Sequence, residues 1–411
     1  LTIRGYIRCP FGDQWALIDD IARGKTPWNV AWLFSQHNEH RLVIPRFLIW
    51  LDVTVFHARN ISLFVEIWLA MLLHATAICY VLERFTSFPE SVKRTLQGVF
   101  TFCILHPSQY DNLTWAFQIS FILAFTIATL AILAAIYLPI LRPRWLVAIW
   151  ISASPLLAAF NLSGGLLVGI ILLCIVFAYH LPERLTALIS LAFLLSSGLY
   201  LWRLHLSDPA HPLSAALRDP KGILVYILTY FGASWTRILP HKERPIALLS
   251  LLYLAYILIG ALRRSHKLSS FEWFCVSECG FLILVALATA LGRLHFGVGQ
   301  AFASRYQTPA MLYWASLGAL ALIAAWRRWP ARFPSIQTAT ILLMLVSVYT
   351  FPKIWQASVS WQDPLKRACV AVMQGTYNQQ TAKTLYANIN GMEPGATFLR
   401  HIWEDRRTNG K

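Results

Sequence analysis

The run from residue 116 to 141, AFQISFILAFTIATLAILAAIYLPIL, carries no charged side chain. A helix needs about 20 apolar residues to cross a hydrocarbon layer near 30 Å thick, and this stretch supplies them. Similar runs occupy residues 61–82, 96–105, 145–160, 164–179, 185–202, 246–262, 271–291, 306–326 and 336–351. The 96–105 run spans only by borrowing its polar flanks. The expected fold is therefore all-α, a polytopic transmembrane helical bundle of about ten crossings. Composition agrees, because 57% hydrophobic and 13% charged residues, with a mean hydropathy of +0.53, exclude an ordinary soluble domain, where charge alone is roughly 25%.

Sidedness turns on residues 222–235, GILVYILTYFGASW. Counting them as a crossing would reverse every later loop and put Arg263, Arg264, Lys267, Arg327, Arg328 and Arg332 outside, against the positive-inside rule. If that run lies along the outer interface or dips in and returns, the inside loops become 83–94, 142–144, 181–184, 263–267 and 327–332. Each then carries Lys or Arg. The outer side receives residues 1–60, the Tyr110 region, the Ser163 turn, residues 203–244, the 293–305 loop and the tail from Pro352. The domain reading is an outer juxtamembrane segment at 1–60, a transmembrane domain at 61–351 and a small soluble tail at 352–411. No repeat of 20–50 residues and no matching interrupted halves are visible, nor is a signal peptide. The start at Leu1, in a polar segment, leads to the expectation of a helix before it.

The balance of 35 Lys and Arg against 19 Asp and Glu, net +16, suggests anionic lipid or phosphate partners rather than nucleic acid. Seven cysteines without paired metal spacing imply no zinc framework, and Cys79, Cys103, Cys174, Cys275 and Cys279 lie within apolar runs as small hydrophobes. Cys9 and Cys369 both fall outside and are free to pair in an oxidising compartment.

Reactive polar residues concentrate on the outer side rather than at mid-helix, which favours surface chemistry over a buried ion path. The first segment holds Asp13 in FGDQW, then Asp19 and Asp20, then FSQHNEHR with His37, Asn38, Glu39, His40 and Arg41. The second outer loop, HPSQYDNLTWAFQ, holds His106, Tyr110, Asp111 and Asn112. The late loop, GRLHFGVGQAFASRYQ, holds Arg293, His295, Arg305 and Tyr306. Two acids and arginine on three loops of one face suit group transfer to a hydroxyl. One carboxylate removes the proton while cations neutralise a departing phosphate. A phosphate leaving group is a weak base and needs no general acid, unlike the two-carboxylate hydrolysis of glycosidases.

GDQW ahead of a juxtamembrane helix, the string HNEHRLVIPR, the YDNLTWAFQ loop before a long apolar helix, and SRYQTP opening a late helix together resemble the GT-C membrane glycosyltransferases. The likeness is to their bacterial, polyprenyl-phosphate-sugar-dependent branch, mannosyltransferase-like or arabinosyltransferase-like, and runs from about residue 11 to 320. The resemblance implies a lipid-phosphate sugar donor and a saccharide, lipid or protein acceptor, in a bacterial plasma membrane with the active face outward. It implies that Asp13 acts as base or orients the acceptor, that Asp111 assists or, as in the oligosaccharyltransferase branch, holds a metal, and that Arg293 and Arg305 hold the carrier phosphate. His37, Glu39, His40, Arg41 and Tyr306 fall in the pocket wall. Gln14 departs from the acidic pair often found there. No cofactor is required by this chemistry.

Plainer readings stand beside these. Asp13 before Trp15 fits an interfacial residue ahead of an aromatic anchor, and Asp19 and Asp20 fit a solvated helix face. His37 and His40, three apart, would share a helix face with Glu39 beside them and so allow a divalent metal, or else form a hydrogen-bonded cluster. Asp111 fits a turn cap, and Arg293 and Arg305 fit interface anchors. Glu66, His74, Glu272 and Glu278 should face protein rather than lipid. Asn60, Asn112 and Asn161 each open an Asn-x-Ser/Thr sequence. Two other function classes compete: a transporter or flippase of lipid-linked saccharides, and a non-catalytic membrane subunit. Convergence of Asp13, Asp111 and Arg305 on one pocket separates catalysis from scattered acids.

Overall fold

The computed structural model describes residues 2–179, 183–205, 213–263, 267–376, 378–385 and 393–409. The expected loops at 181–184 and 263–267, the 203–244 connection and the tail each lie partly outside these residues. Every named element among the described residues is helical, and extended pairing is confined to an isolated antiparallel bridge between His37 and His40.

Seven helical stretches are long and apolar enough to cross a membrane: Ile61–Phe85, Ala116–Tyr137, Glu183–Leu201, Glu243–Leu262, Ser270–Phe296, Ser304–Arg328 and Pro330–Gln374. All ten expected runs are helical, but three fall short of that length. Arg144–Ala159 and Ser163–Ala178 are shorter apolar helices, and Glu90–Ile104 has 15 residues with Glu90, Lys93 and Arg94 in its first turns. Leucines on the outer surfaces of these helices, such as Leu69, Leu249 and Leu252, are exposed. Contiguous apolar surface on that scale marks contact with lipid rather than water. The chain is an integral membrane protein.

Ala116–Tyr137 runs through the middle of the bundle. It packs against Ile61–Phe85, Arg144–Ala159 and Ser270–Arg293, and its buried Ala124, Ala128, Ala131 and Ala135 let neighbouring backbones come close. Ionisable groups inside face protein, as expected. Glu278 accepts a 2.8 Å hydrogen bond from Thr129, and His74 lies 3.4 Å from the Thr126 hydroxyl. At one end of the bundle Glu272 receives two 2.7 Å bonds from Arg327 and also caps its own helix through Ser269. At the other end the turn after Arg144–Ala159 is tight. A Cβ on Gly165 would stand 2.4 Å from the Ala158 carbonyl carbon, so only glycine lets the two segments touch.

Residues 222–235 do not form a helix long enough to count among the seven spans. Pro220–Gly232 is a helix of 13 residues, about 20 Å at a rise of about 1.5 Å per residue. Both its ends stay near one end of the bundle: Gly222 beside Asp219 and Leu294, and Ser234 just past the helix, donating to Gln307 at 2.9 Å. It is not laid on the surface, however. Tyr226, Thr229, Tyr230 and Phe231 are buried, and Trp314 donates to the Phe231 carbonyl.

The tail after Pro352 is less separate than its polar stretches suggest. The helix Phe351–Gln374 carries Cys369, which is disulfide-bonded to Cys9. Gly12 donates its N–H to the Leu385 carbonyl at 2.8 Å, Trp403 donates to the His57 carbonyl at 3.1 Å, and the Arg8 guanidinium lies 4.3 Å from the Trp403 ring centre. The tail thus clamps the segment that carries Asp13. Alkylation of unreduced protein should modify cysteines only among Cys79, Cys103, Cys174, Cys275 and Cys279. A mass spectrum with Cys9 and Cys369 both alkylated would remove the clamp.

The three Asn-x-Ser/Thr asparagines are buried and occupied. Asn60 donates to the Arg8 carbonyl, Asn112 to the Arg305 carbonyl and Asn161 to the Leu157 carbonyl. The folded chain offers none of them for glycosylation.

Candidate active site

Asp13 sits at the start of the Gln14–Ala22 helix, after Gly12 in a left-handed conformation at φ 55°. Glycine is needed twice over there, since a Cβ would also meet the Trp115 ring at 2.9 Å. The turn is held from several sides. Trp115 donates to the Phe11 carbonyl at 2.9 Å, and Gln14 donates to Asn60 at 2.7 Å. Asn60 in turn donates its N–H to Asp52, whose other oxygen accepts from Ser62 at 2.6 Å. Gln14 therefore anchors the loop rather than adding charge to it.

The HNEHR string is not helical, so the shared helix face that would have allowed a metal does not form. His37 and His40 exchange backbone hydrogen bonds of 2.8 and 2.9 Å around an Asn38-Glu39 turn. Asn38 takes a positive φ of 50°, which asparagine tolerates better than most residues. Directly paired residues of an antiparallel bridge project to the same side of the ribbon. Among the described residues no group of three His, Cys, Asp or Glu side chains is placed to hold a metal ion.

Asp13, His37, Glu39, His40, Arg293, Arg305 and Tyr306 line one cavity of about 770 Å³ at an end of the bundle. Its deeper wall is apolar, with Phe121 and Phe125 from the central helix and Val285 opposite. His37 Nε2 stands 3.8 Å from Asp13. That contact is the main influence holding the Asp13 carboxyl below its usual range; partial burial opposes it, and Arg293 and Arg305 reinforce it. Asp13 is thus ionised at neutral pH. Glu39 pairs with Arg293 and lies 3.7 Å from His40 Nε2. Burial pushes the His40 imidazole down to about 4, so it stays neutral, with Nδ1 2.9 Å from the Ser163 hydroxyl.

Arg305 contrasts with Arg293. No carboxylate among the described residues forms an ion pair with it, and its guanidinium carbon lies 5.2 Å from the Tyr306 ring centre. Its charge lowers the pKa of both Asp13 and Asp111.

Two expected residues stand off the cavity wall. Asp111 is buried behind it, its N–H donating to Ser304 at 3.1 Å, while its Oδ1 has no hydrogen-bond partner. Burial raises its pKa, against the pull of Ser304 and Arg305. Arg41 spends its guanidinium on the backbone carbonyls of Phe34, Tyr200 and Trp202. It fastens the hairpin to the end of Glu183–Leu201. His295 of the late loop also lines the cavity, and so do Trp115, Gln118, Ser163 and His205, which were not singled out as site residues. Ser163 and His205 belong to turns brought in by packing, with no local motif to mark them.

Replacing His37 with Ala should remove the largest influence lowering the Asp13 pKa. Any activity that needs ionised Asp13 should then lose its acid limb at a higher pH, nearer the ordinary carboxylate value of about 4. A profile of rate against pH unchanged in the variant would show that Asp13 is not the titrating group.

The chain matches no protein-family model, no curated protein and no solved structure, so the site is read from its own geometry.

Proposed function

We propose that this chain is a GT-C-type membrane glycosyltransferase that moves a sugar from a polyprenyl-phosphate carrier to an acceptor hydroxyl on the outer face of a bacterial plasma membrane. One observation carries the reading: residues as distant as Asp13, His37, Arg293 and Arg305 line a single cavity at the end of an apolar bundle. An ionised carboxylate in one cavity with a guanidinium that forms no carboxylate ion pair among the described residues is what transfer from a phosphate carrier requires.

In the proposed step the acceptor oxygen attacks the anomeric carbon of the sugar. The bond from that carbon to the phosphate oxygen breaks, the electron pair leaves with the phosphate, and Asp13 takes the acceptor proton. Arg305 neutralises the charge that develops on the departing phosphate, with Tyr306 beside it. Arg293 joins only by exchanging Glu39 for the ligand. Asp111 acts from behind the wall, on Ser304 and Arg305, and the hairpin from His37 to His40 forms one side of the pocket. The apolar depth of the cavity fits the carrier chain. No cofactor enters this step.

The test is incubation of membranes containing the protein with labelled polyprenyl-phosphate sugars and a panel of saccharide, lipid and protein acceptors. Label should pass to an acceptor. Labelled donor crossing the bilayer unchanged, with no transfer to any acceptor, would replace the enzyme with a flippase.

A further inference from the structure

The Val43–Val55 helix is built inside out. Its charged residues point into the protein: Arg46 is 2% exposed and donates to the Leu33 and Ser35 carbonyls, and Asp52 is 1% exposed and accepts from Asn60 and Ser62. Its outer side is apolar, with Phe47 at 42%, Val55 at 54% and, just past its end, Phe56 at 44% exposed. Thr54, the polar residue on that side, turns its hydroxyl back to the Trp50 carbonyl at 2.8 Å. A helix lying on protein in water shows the reverse arrangement, polar residues outward.

At 13 residues this helix is too short to span. The apolar face nevertheless continues. Beyond the turn at 57–60, Ile61, Val65 and Leu69 form an exposed stripe at four-residue spacing along the Ile61–Phe85 span. On the other side Trp28 and Val30 are exposed, with the Trp28 ring 6.4 Å from Trp50 and Phe47 6.2 Å from the same ring. Tryptophan concentrates at membrane interfaces, where an apolar ring and a polar N–H are both accommodated.

We propose that Val43–Val55, with Trp28 and Val30, is a monotopic element embedded in one leaflet, its outer face in contact with lipid chains. Leu42, immediately before this helix, lines the cavity, so the embedded element sets the cavity wall at the level of the lipid surface. This holds whatever the cavity does chemically.

The test places a benzophenone amino acid singly at Phe47, Val55, Leu69 or Lys383 of the full chain in vesicles of phosphatidylcholine and phosphatidylglycerol with labelled acyl chains. Leu69 is the spanning-helix reference, and exposed Lys383 in the tail helix is the aqueous reference. Illumination should give lipid adducts at 47 and 55 matching the yield at 69, with loss to background at 383. Background yields at 47 and 55 would overturn the proposal. So would a covalent dimer at those positions, which would make the face a protein contact between two copies.

Discussion

Asp13→Asn is expected to leave the protein folded and inserted while lowering sugar transfer by about 10²–10⁴-fold, the range typical of a lost general base. The isosteric amide keeps the turn intact, because the bonds that hold it run through Gly12, Gln14 and Trp115 rather than the Asp13 carboxylate. What is lost is the proton acceptor, 3.8 Å from His37 and sharing one cavity with Arg293 and Arg305. Initial rates at saturating donor, compared at equal protein content, measure it. Wild-type turnover in this variant would remove Asp13 from the mechanism.

Arg305→Ala should lower turnover by about 10²–10³-fold, about 2.7–4 kcal/mol, as when one preorganised donor to developing negative charge is removed. Arg293→Ala should cost clearly less. Its guanidinium already faces Glu39, so its removal leaves that carboxylate unpaired rather than stripping charge from the phosphate position. Combining Arg293→Ala with Glu39→Gln should therefore recover part of the loss. Arg305→Lys should recover less than a full charge would suggest, because an ammonium lacks the planar fork that matches phosphate oxygens. Equal losses in the two alanine variants would mean that the arginines act as a pair and that the Glu39 contact opens before the ligand arrives.

Much of this architecture was readable in one dimension. The apolar runs at 61–82, 116–141, 246–262, 271–291 and 306–326 each became a long helix, since a helix closes its hydrogen bonds within its own segment and its length follows from its residue count. The shorter runs were harder to judge, because whether a helix of 15 residues crosses depends on its neighbours and on the local bilayer. The expected sidedness left Cys9 and Cys369 free to pair, and the structure joins them. The His37–His40 segment was open in the sequence, because an i, i+3 histidine pair suits both a helix face and a two-residue turn. The backbone at Asn38 chose between them.

Hydropathy and charge along the chain were enough to establish a membrane-embedded helical bundle and to put Asp13, Arg293 and Arg305 among the candidates, because both depend on residue type and local spacing. Which of them share a pocket was settled by packing. Glu39 and Arg293 meet across 254 positions of sequence, Asp111 is set behind the wall and Arg41 is consumed by backbone carbonyls. Such relations depend on how helices pack side by side, a distance that no count of intervening residues encodes.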